Sequence, residues 1–249
     1  MEKAIPNCFP FIGRLFSAGY TYKNNRYEIP IHGFATTQEF SVEQSTAQSA
    51  VFSISQTDET LKIYPFIFDF SIEYRLVGSA LTVEYIVHNP GGDTLYYAVG
   101  AHPGFNVPLE GGFEDWQLDF EQDCQPVMVQ MSDDCLITSG DKPYEKILSG
   151  VIDLKHELFD DDAFILRGMP KKVVLKSKKS GRSISVSYPE MDYCAFWHKP
   201  KSEAPYVCIE PWSSLPGRSG VVEDIETMPT LLHLDAGQTK KNALEYRFS

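Results

Sequence analysis

Histidines and carboxylates stand in four segments of unusual local sequence, and these side-chain types can perform general acid–base catalysis. In one segment, His102 is followed by Pro103, which fixes φ, and by Gly104, which permits a tight turn, so the imidazole is held on a rigid corner. In another, Glu210 ends an apolar, strand-like run. The four segments are Pro-Ile-His-Gly-Phe at 30–34, Gly-Ala-His-Pro-Gly-Phe-Asn at 100–106, His-Glu-Leu-Phe-Asp-Asp-Asp-Ala-Phe at 156–164 and Val-Cys-Ile-Glu-Pro-Trp at 207–212.

Each of these residues also has a purely structural interpretation. An isolated histidine in a β-protein is commonly a hydrogen-bonded structural residue. The acidic run at 160–162 is typical of a solvated loop or of a helix N-terminus, where carboxylates meet free N–H groups. Glu210 fits the cap of a turn, and Trp197 and Trp212 fit a hydrophobic core as well as a sugar-binding surface.

Motifs of several other reaction classes are absent from the sequence. It contains no G-x-G-x-x-G, Walker A, G-x-S-x-G, H-E-x-x-H or EF-hand pattern and no H-x-H pair. Nucleotide-dependent chemistry, serine hydrolysis and a dedicated metal centre are therefore disfavoured, and we expect no cofactor and no bound metal. Five cysteines without a C-x-x-C pair argue against a disulfide framework and a zinc site, so we expect reduced thiols.

Composition narrows the class of partner. The 249 residues are 43% hydrophobic, which is enough to bury a sizeable core. The formal charge of −12 repels phosphate backbones and anionic lipid surfaces, so neither nucleic acid nor a membrane is an expected partner. The sequence has no apolar run long enough to span a bilayer and no signal-peptide core near Met1. We therefore expect a soluble, cytoplasmic protein.

Alternation of apolar and polar residues predicts β-strands along most of the chain, and short strands separated by Gly, Pro, Asn and Asp turns are typical of an antiparallel sandwich or barrel. One short helix is predicted around 156–163, and the basic stretch at 171–182 is interpreted as a solvated hairpin. No linker or repeat divides the chain, which predicts a single domain over 1–249. The alternating runs are 66–76, 81–87, 116–120, 184–188 and 244–248.

Taken together and in chain order, these segments resemble the aldose 1-epimerase (galactose mutarotase-like) family, in particular its bacterial branch of uncertain sugar specificity. The resemblance implies an all-β, antiparallel β-supersandwich with few short helices, and a metal-independent isomerase of carbohydrate metabolism that interconverts the α and β anomers of a free aldohexose. The matching segments are 9–15 (Phe-Pro-Phe-Ile-Gly-Arg-Leu), 31–35 (Ile-His-Gly-Phe-Ala), 100–106, 156–162 and 208–212.

The resemblance also implies roles for individual residues. Glu210 corresponds to the catalytic base, and His102 to the acid that protonates the ring oxygen of the sugar. His32 corresponds to a second histidine of the site that binds or polarises the sugar. Arg14 and Asp162 correspond to residues that hold sugar hydroxyls, and Trp212 of the same matching segment as Glu210 joins the expected sugar-binding set.

Two departures from the family pattern leave alternatives open. The family commonly has further strands before the 9–15 segment, so we expect a chain that lacks them, with an open sheet edge that invites pairing as a homodimer. Relatives often carry arginine where Thr36 follows the 31–35 segment, and that arginine is associated with sugar-phosphate recognition, so its absence disfavours a hexose-6-phosphate substrate. The alternatives are a carbohydrate-binding or sensing protein without catalysis, and a hexose-6-phosphate 1-epimerase.

Overall fold

The protein is described by a computed structural model over residues 7–249. The prediction that the chain lacks the family's first strands bears on residues 1–6, which lie outside the described residues. The described strands are β1 (Asn7–Cys8), β2 (Gly19–Tyr22), β3 (Asn25–Glu28), β4 (Ser41–Ser45), β5 (Ser49–Ser55), β6 (Asp69–Val77), β7 (Ala80–His88), β8 (Leu95–Tyr97), β9 (Gly100–Ala101), β10 (Gly104–Asn106), β11 (Trp116–Asp119), β12 (Val127–Val129), β13 (Lys142–Pro143), β14 (Val151–Asp153), β15 (Phe164–Arg167), β16 (Lys172–Ser177), β17 (Ser183–Ser187), β18 (Tyr193–Trp197), β19 (Tyr206–Trp212), β20 (Glu223–Asp224), β21 (Leu232–Leu234) and β22 (Thr239–Phe248).

Helical structure is sparse. One α-helix, α1, covers Asp58–Ile63, and short 3₁₀ segments cover Phe16–Ala18, Ala35–Thr37, Phe113–Asp115 and His156–Phe159. None of these helices is long and apolar enough to cross a membrane.

Two large antiparallel sheets form the body of the protein. One has nine strands in the order β14-β11-β16-β17-β22-β7-β6-β5-β4. The other has eight strands in the order β1-β9-β19-β18-β15-β12-β13, with β10 also paired to β19. A three-stranded sheet (β20-β2-β3) and a two-stranded sheet (β21-β8) flank them, and the only parallel pairing between the described strands is that of β2 with β20.

The pairing of β6 with β7 shows how the sequence pattern produces the sheet. A two-residue turn at Gly78 and Ser79 joins the strands, and Gly78 takes a positive φ of 59°. Alternate residues then point into the core, so that Val83, Tyr85 and Val87 are buried while their neighbours are partly exposed. Strands cover the predicted runs 81–87 and 244–248 in full and nearly all of 116–120 and 184–188, whereas the predicted run 66–76 is strand only from Asp69 onward.

Aromatic side chains fill the space between the two large sheets. Phe105 of β10 lies with its ring centroid 5.9 Å from that of Tyr246 of β22. The ring centroid of Phe196 of β18 lies 6.3 Å from that of Phe120, which follows β11. Because each pair joins one large sheet to the other, the core is shared by both sheets, and the all-β antiparallel prediction is confirmed.

The helices differ in position from the sequence prediction. The segment at 156–163 forms only a 3₁₀ turn that ends at Phe159. Helix α1 was not predicted from periodicity, because six residues are too few to show it. Its start is instead fixed by a capping box in which the Thr57 hydroxyl accepts the Thr60 N–H and the Thr60 hydroxyl accepts the Thr57 N–H.

Candidate active site

The six residues expected from the sequence to form the site all line one cavity of about 220 Å³. The cavity lies on the face of the eight-stranded sheet that points away from the shared core. Loops that precede β2 and β15 and loops that follow β3, β9, β12 and β19 complete its walls. The structure therefore brings together residues that are up to 198 positions apart in the chain, namely Arg14, His32, His102, Asp162, Glu210 and Trp212.

Glu210 is placed on this face by the strand alternation of β19. Ile209 points into the core, and Glu210 points the opposite way, opposite Ala195 of β18. The carboxyl is 2% exposed, so its charged form has lost most of its hydration. Burial raises the pKa of Glu210 well above its ordinary value, and the nearby Asp162 carboxylate adds to that rise.

His102 lies on the short connection between β9 and β10, as its proline and glycine neighbours predict. Its Nδ1 atom lies 3.2 Å from Oε1 of Glu210, although the angle between the two groups is not that of a hydrogen bond. Burial lowers the pKa of His102 below 6.5. The buried Glu210 carboxyl and the partly buried His102 imidazole are thus in contact, with pKa values that are displaced in opposite directions.

His32 is held at a tight turn with its backbone in the left-handed region, at φ 61°. The Nδ1 atom accepts a hydrogen bond from the Gly13 N–H at 3.2 Å and lies 3.3 Å from the Cys8 thiol. Because a backbone N–H can only donate, Nδ1 is the unprotonated nitrogen and Nε2 carries the proton. Burial, followed by the nearby His102 and Arg14, lowers the pKa of His32 to about 4, so the ring is neutral near pH 7.

Asp162 follows the 3₁₀ turn His156–Phe159 and also has a positive φ, of 78°. One carboxylate oxygen accepts the Ala163 N–H at 2.7 Å, and the other lies 3.3 Å from the Cys135 thiol. Arg14, on the loop that precedes β2, also lines the cavity, and its side chain is exposed. The cavity therefore offers fixed acceptors and one exposed guanidinium, which suits the binding of hydroxyl groups.

The aldose 1-epimerase family profile matches residues 6–234 of this sequence. The chain belongs to the aldose 1-epimerase family. It is 29% identical over 246 residues to the plasmid-encoded protein LacX of Lactococcus lactis subsp. lactis, an alignment that covers 94% of this chain and 82% of that protein. It is 30% identical over 215 residues to the chromosomal LacX of the same organism, with 83% and 72% covered.

Solved structures with the same fold include two from lactobacilli. A galactose mutarotase related enzyme from Lactobacillus acidophilus has a TM-score of 0.91 and 31% identity, covering 98% of this chain and 82% of that chain. A galactose mutarotase-like protein from Lactobacillus casei has a TM-score of 0.92 and 27% identity, covering 98% and 85%. The expected mutarotase-like β-supersandwich is thereby confirmed, and the family is one of epimerases.

Other cavity residues were not among those expected from the sequence. Trp197, which from the sequence fitted a hydrophobic core as well as a sugar-binding surface, lines the cavity with its ring centroid 5.8 Å from that of His102 in an edge-to-face arrangement. Its pairing with Cys208 places it on the same sheet face as Glu210, a relation that only the register of β18 with β19 reveals. Trp212, which was expected, is 4% exposed at the cavity wall.

One group of side chains at the cavity has the composition of a metal-binding site. Ligand atoms of His102, Cys208 and Glu210 all lie within 4.8 Å of one another. Nitrogen, sulfur and carboxylate oxygen are the ligand types that Zn²⁺ accepts. Two of the three are the groups that the family resemblance assigns to proton transfer, so a cation bound there would compete with that role.

Proposed function

We propose that this protein is an aldose 1-epimerase that interconverts the α and β anomers of a free aldohexose without a metal ion or cofactor. Glu210 would act as the base at the anomeric hydroxyl, and His102 as the acid at the ring oxygen. The observation that carries the proposal is the 3.2 Å contact of His102 with Glu210 in a cavity of monosaccharide size. A binding site alone would need hydroxyl-bonding groups but no matched acid and base.

The reaction conserves one proton on the pair of catalytic residues. In the reactive form with the ring closed, Glu210 is ionised and the His102 imidazole is protonated. Glu210 then takes the proton of the anomeric hydroxyl while His102 delivers its proton to the ring oxygen, and the C1–O5 bond breaks. After rotation about C1–C2, the aldehyde is attacked on its other face, His102 recovers the proton from the C5 hydroxyl, and Glu210 returns its proton to O1.

The directions of the pKa shifts suit these roles. A raised pKa makes the Glu210 carboxylate a stronger base, and a lowered pKa makes the His102 imidazolium a stronger acid. General acid–base catalysis contributes roughly 10²–10⁴-fold per group, which is a useful gain for ring opening.

The remaining predicted residues bind and orient the sugar in this proposal. The Nε2–H of neutral His32 is a donor that does not change with pH near neutrality. Asp162 accepts hydroxyl protons, and Arg14 donates to hydroxyl oxygens. Trp212 supplies an apolar wall for the C–H face of the ring.

An uncharged sugar fits the charge of the cavity better than a phosphorylated one. Among the described residues that line the cavity, two carboxylates (Asp162 and Glu210) accompany a single guanidinium, that of Arg14. A groove that shares Cys135 and Asp162 with the cavity is lined by five carboxylates and three lysines, and so also has a net negative charge. The carboxylates are those of Asp133, Glu145, Asp160, Asp161 and Asp162, and the lysines are Lys142, Lys146 and Lys201. A phosphate dianion would meet this negative charge, so we assign free aldohexose as the substrate.

The test is anomer exchange followed by NMR with glucose, galactose and glucose-6-phosphate at equal concentration. We expect acceleration over buffer that is greater for a free sugar than for glucose-6-phosphate. Preference for the phosphate would instead support a hexose-6-phosphate epimerase. Exchange no faster than in buffer, with sugar binding retained by the folded protein, would establish a binding or sensing protein and overturn the proposal. Cytoplasmic location and a homodimer stay predictions from the sequence.

A further inference from the structure

Cys135 occupies a specific place in the cavity wall that the family resemblance does not account for. It lines the sugar cavity and also an adjoining groove of about 1060 Å³. Asp162 is shared by the same two spaces. The contact between Cys135 and Asp162 therefore lies where the sugar cavity opens into the groove.

The loop that carries Cys135 is a tight hairpin between β12 and β13. Met131 and Ile137 face each other as an antiparallel bridge, and the Cys135 N–H donates to the Ser132 carbonyl at 2.9 Å. The Ile137 N–H donates to the Gly217 carbonyl at 2.9 Å, which ties the loop to the segment that follows β19. These bonds hold Cys135 in the left-handed region, at φ 60°.

The thiol of Cys135 is the donor in its contact with Asp162. Sγ lies 3.3 Å from Oδ2, and an ionised carboxylate can only accept. Burial, with Asp162 adding to it, raises the pKa of the Cys135 thiol to about 11, so the S–H proton is present at neutral pH. The other oxygen, Oδ1, accepts the Ala163 N–H at 2.7 Å.

Each oxygen of Asp162 is therefore held by one donor of the protein. Two donors on different oxygens fix the carboxylate plane, which leaves its remaining lone pairs in a set direction. Both Cys135 and Asp162 have positive φ values, a conformation that non-glycine residues keep only where surrounding contacts enforce it. The protein thus maintains two unfavourable backbone conformations at this one contact.

We propose that Cys135 is a positioning residue for sugar binding, whose thiol orients the Asp162 carboxylate toward the substrate hydroxyls. The inference rests on the proposed function, since it assigns Asp162 to the sugar. Cys135 acts through Asp162 and takes no part in proton transfer at the anomeric centre. Its removal should weaken sugar binding while the chemical step continues at its ordinary rate.

The first experiment compares Cys135→Ala with Cys135→Ser in mutarotation kinetics. Alanine removes the donor, and we expect KM to rise roughly three- to ten-fold with little change in kcat, the loss typical of one hydrogen bond. Serine restores an O–H donor at the same position, so KM should return toward the wild-type value. If both variants match the wild type, or if serine behaves as alanine does, the positioning role is wrong.

The second experiment does not require catalysis. Wild-type protein is treated with N-ethylmaleimide with and without saturating glucose or galactose, and the modified cysteines are counted by mass spectrometry. Because the Cys135 thiol is protonated at neutral pH, the treatment is made alkaline and long enough to label it fully without sugar. Cys135 should be protected by whichever sugar binds, whereas Cys124, which is similarly half-buried but lines neither space, should not. Protection of neither or of both would contradict the proposal. Protection of Cys135 in a protein without epimerase activity would support its place at the sugar site and would refute only the proposed catalytic function.

Discussion

Replacing Glu210 with glutamine should stabilise the protein while it abolishes activity. The carboxyl is 2% exposed, and its contact with His102 lacks hydrogen-bond geometry. Because burial lowers the pKa of His102, the imidazole is a poor cationic partner for a buried carboxylate. Removing a buried, weakly compensated charge should add about 1–2 kcal/mol to the free energy of unfolding near pH 8, the usual size of such gains. For a chain of this length, that raises Tm by roughly 2–8 °C.

A second buried glutamate provides a matched control of opposite sign. Glu223 is 1% exposed, and its two carboxylate oxygens accept from Nε and Nη2 of Arg218 at 2.9 and 2.7 Å. The Arg218 backbone N–H donates to it as well, at 2.9 Å. Glu223→Gln breaks this bidentate pair and should cost about 1–3 kcal/mol.

The pH dependence of the effect has a definite sign. Since the pKa of Glu210 is raised in the folded state, the native protein binds more protons than the unfolded chain above pH 4.5. Wild-type stability therefore falls as pH rises through the raised pKa, and the advantage of Glu210→Gln should be smaller at pH 5 than at pH 8. Calorimetric or urea unfolding of both variants at both pH values measures this. A Glu210→Gln variant that is destabilised at pH 8 as strongly as Glu223→Gln would refute the reasoning.

Two further predictions concern the same cavity, and a third concerns the turn that holds His32. The pH profile of kcat/KM should be bell-shaped, because the catalytic pair must hold one proton. Its acid limb should lie below pH 6.5, since burial lowers the pKa of His102, and an acid limb above pH 6.5 would contradict this. ¹⁵N NMR of the His32 ring should show a neutral form with the proton on Nε2 from pH 6 to 8, and the ring should titrate near pH 4. Protonation of the ring near pH 6.5 would instead show that the His32 side chain is solvated. Gly33→Ala should lower the free energy of unfolding in urea by roughly 2–4 kcal/mol, because its Cβ would overlap the Phe9 carbonyl at a φ of 76°. Gly78→Ala, with positive φ but open space, should cost only about 1 kcal/mol, and equal losses would exclude the overlap as the cause.

The sequence predicted the strands best where the alternation of apolar and polar side chains alone distinguishes a strand from other structure. Alternation in β6 and β7 identified both strands and the turn at Gly78, because a half-buried sheet imposes a period of two. Helix α1 was not predicted, because its six residues are too few to show a helical periodicity and its start depends on hydrogen bonds made by the side chains of Thr57 and Thr60.

Contacts between residues that are far apart in the sequence could not be predicted from the sequence pattern alone. Residue types and local turns indicated that His102 and Glu210 could do acid–base chemistry, but their 3.2 Å approach depends on the pairing of β10 and β18 with β19. The family resemblance, rather than periodicity, assigned them to one site. Cys135 and Trp197 carried no local signal, because a cysteine in a loop and a tryptophan in a strand are equally common outside a site.

The most direct test of the acid–base account is anomer exchange by NMR with wild type, His102→Ala and Glu210→Gln at neutral pH. Circular dichroism and a binding measurement with the preferred sugar verify that each variant is folded and still binds. We predict that either substitution lowers the catalysed exchange by about 10²–10⁴-fold while sugar binding persists. Exchange that survives in either folded variant at more than about a tenth of the wild-type rate would contradict the assignment of His102 and Glu210 as the catalytic pair.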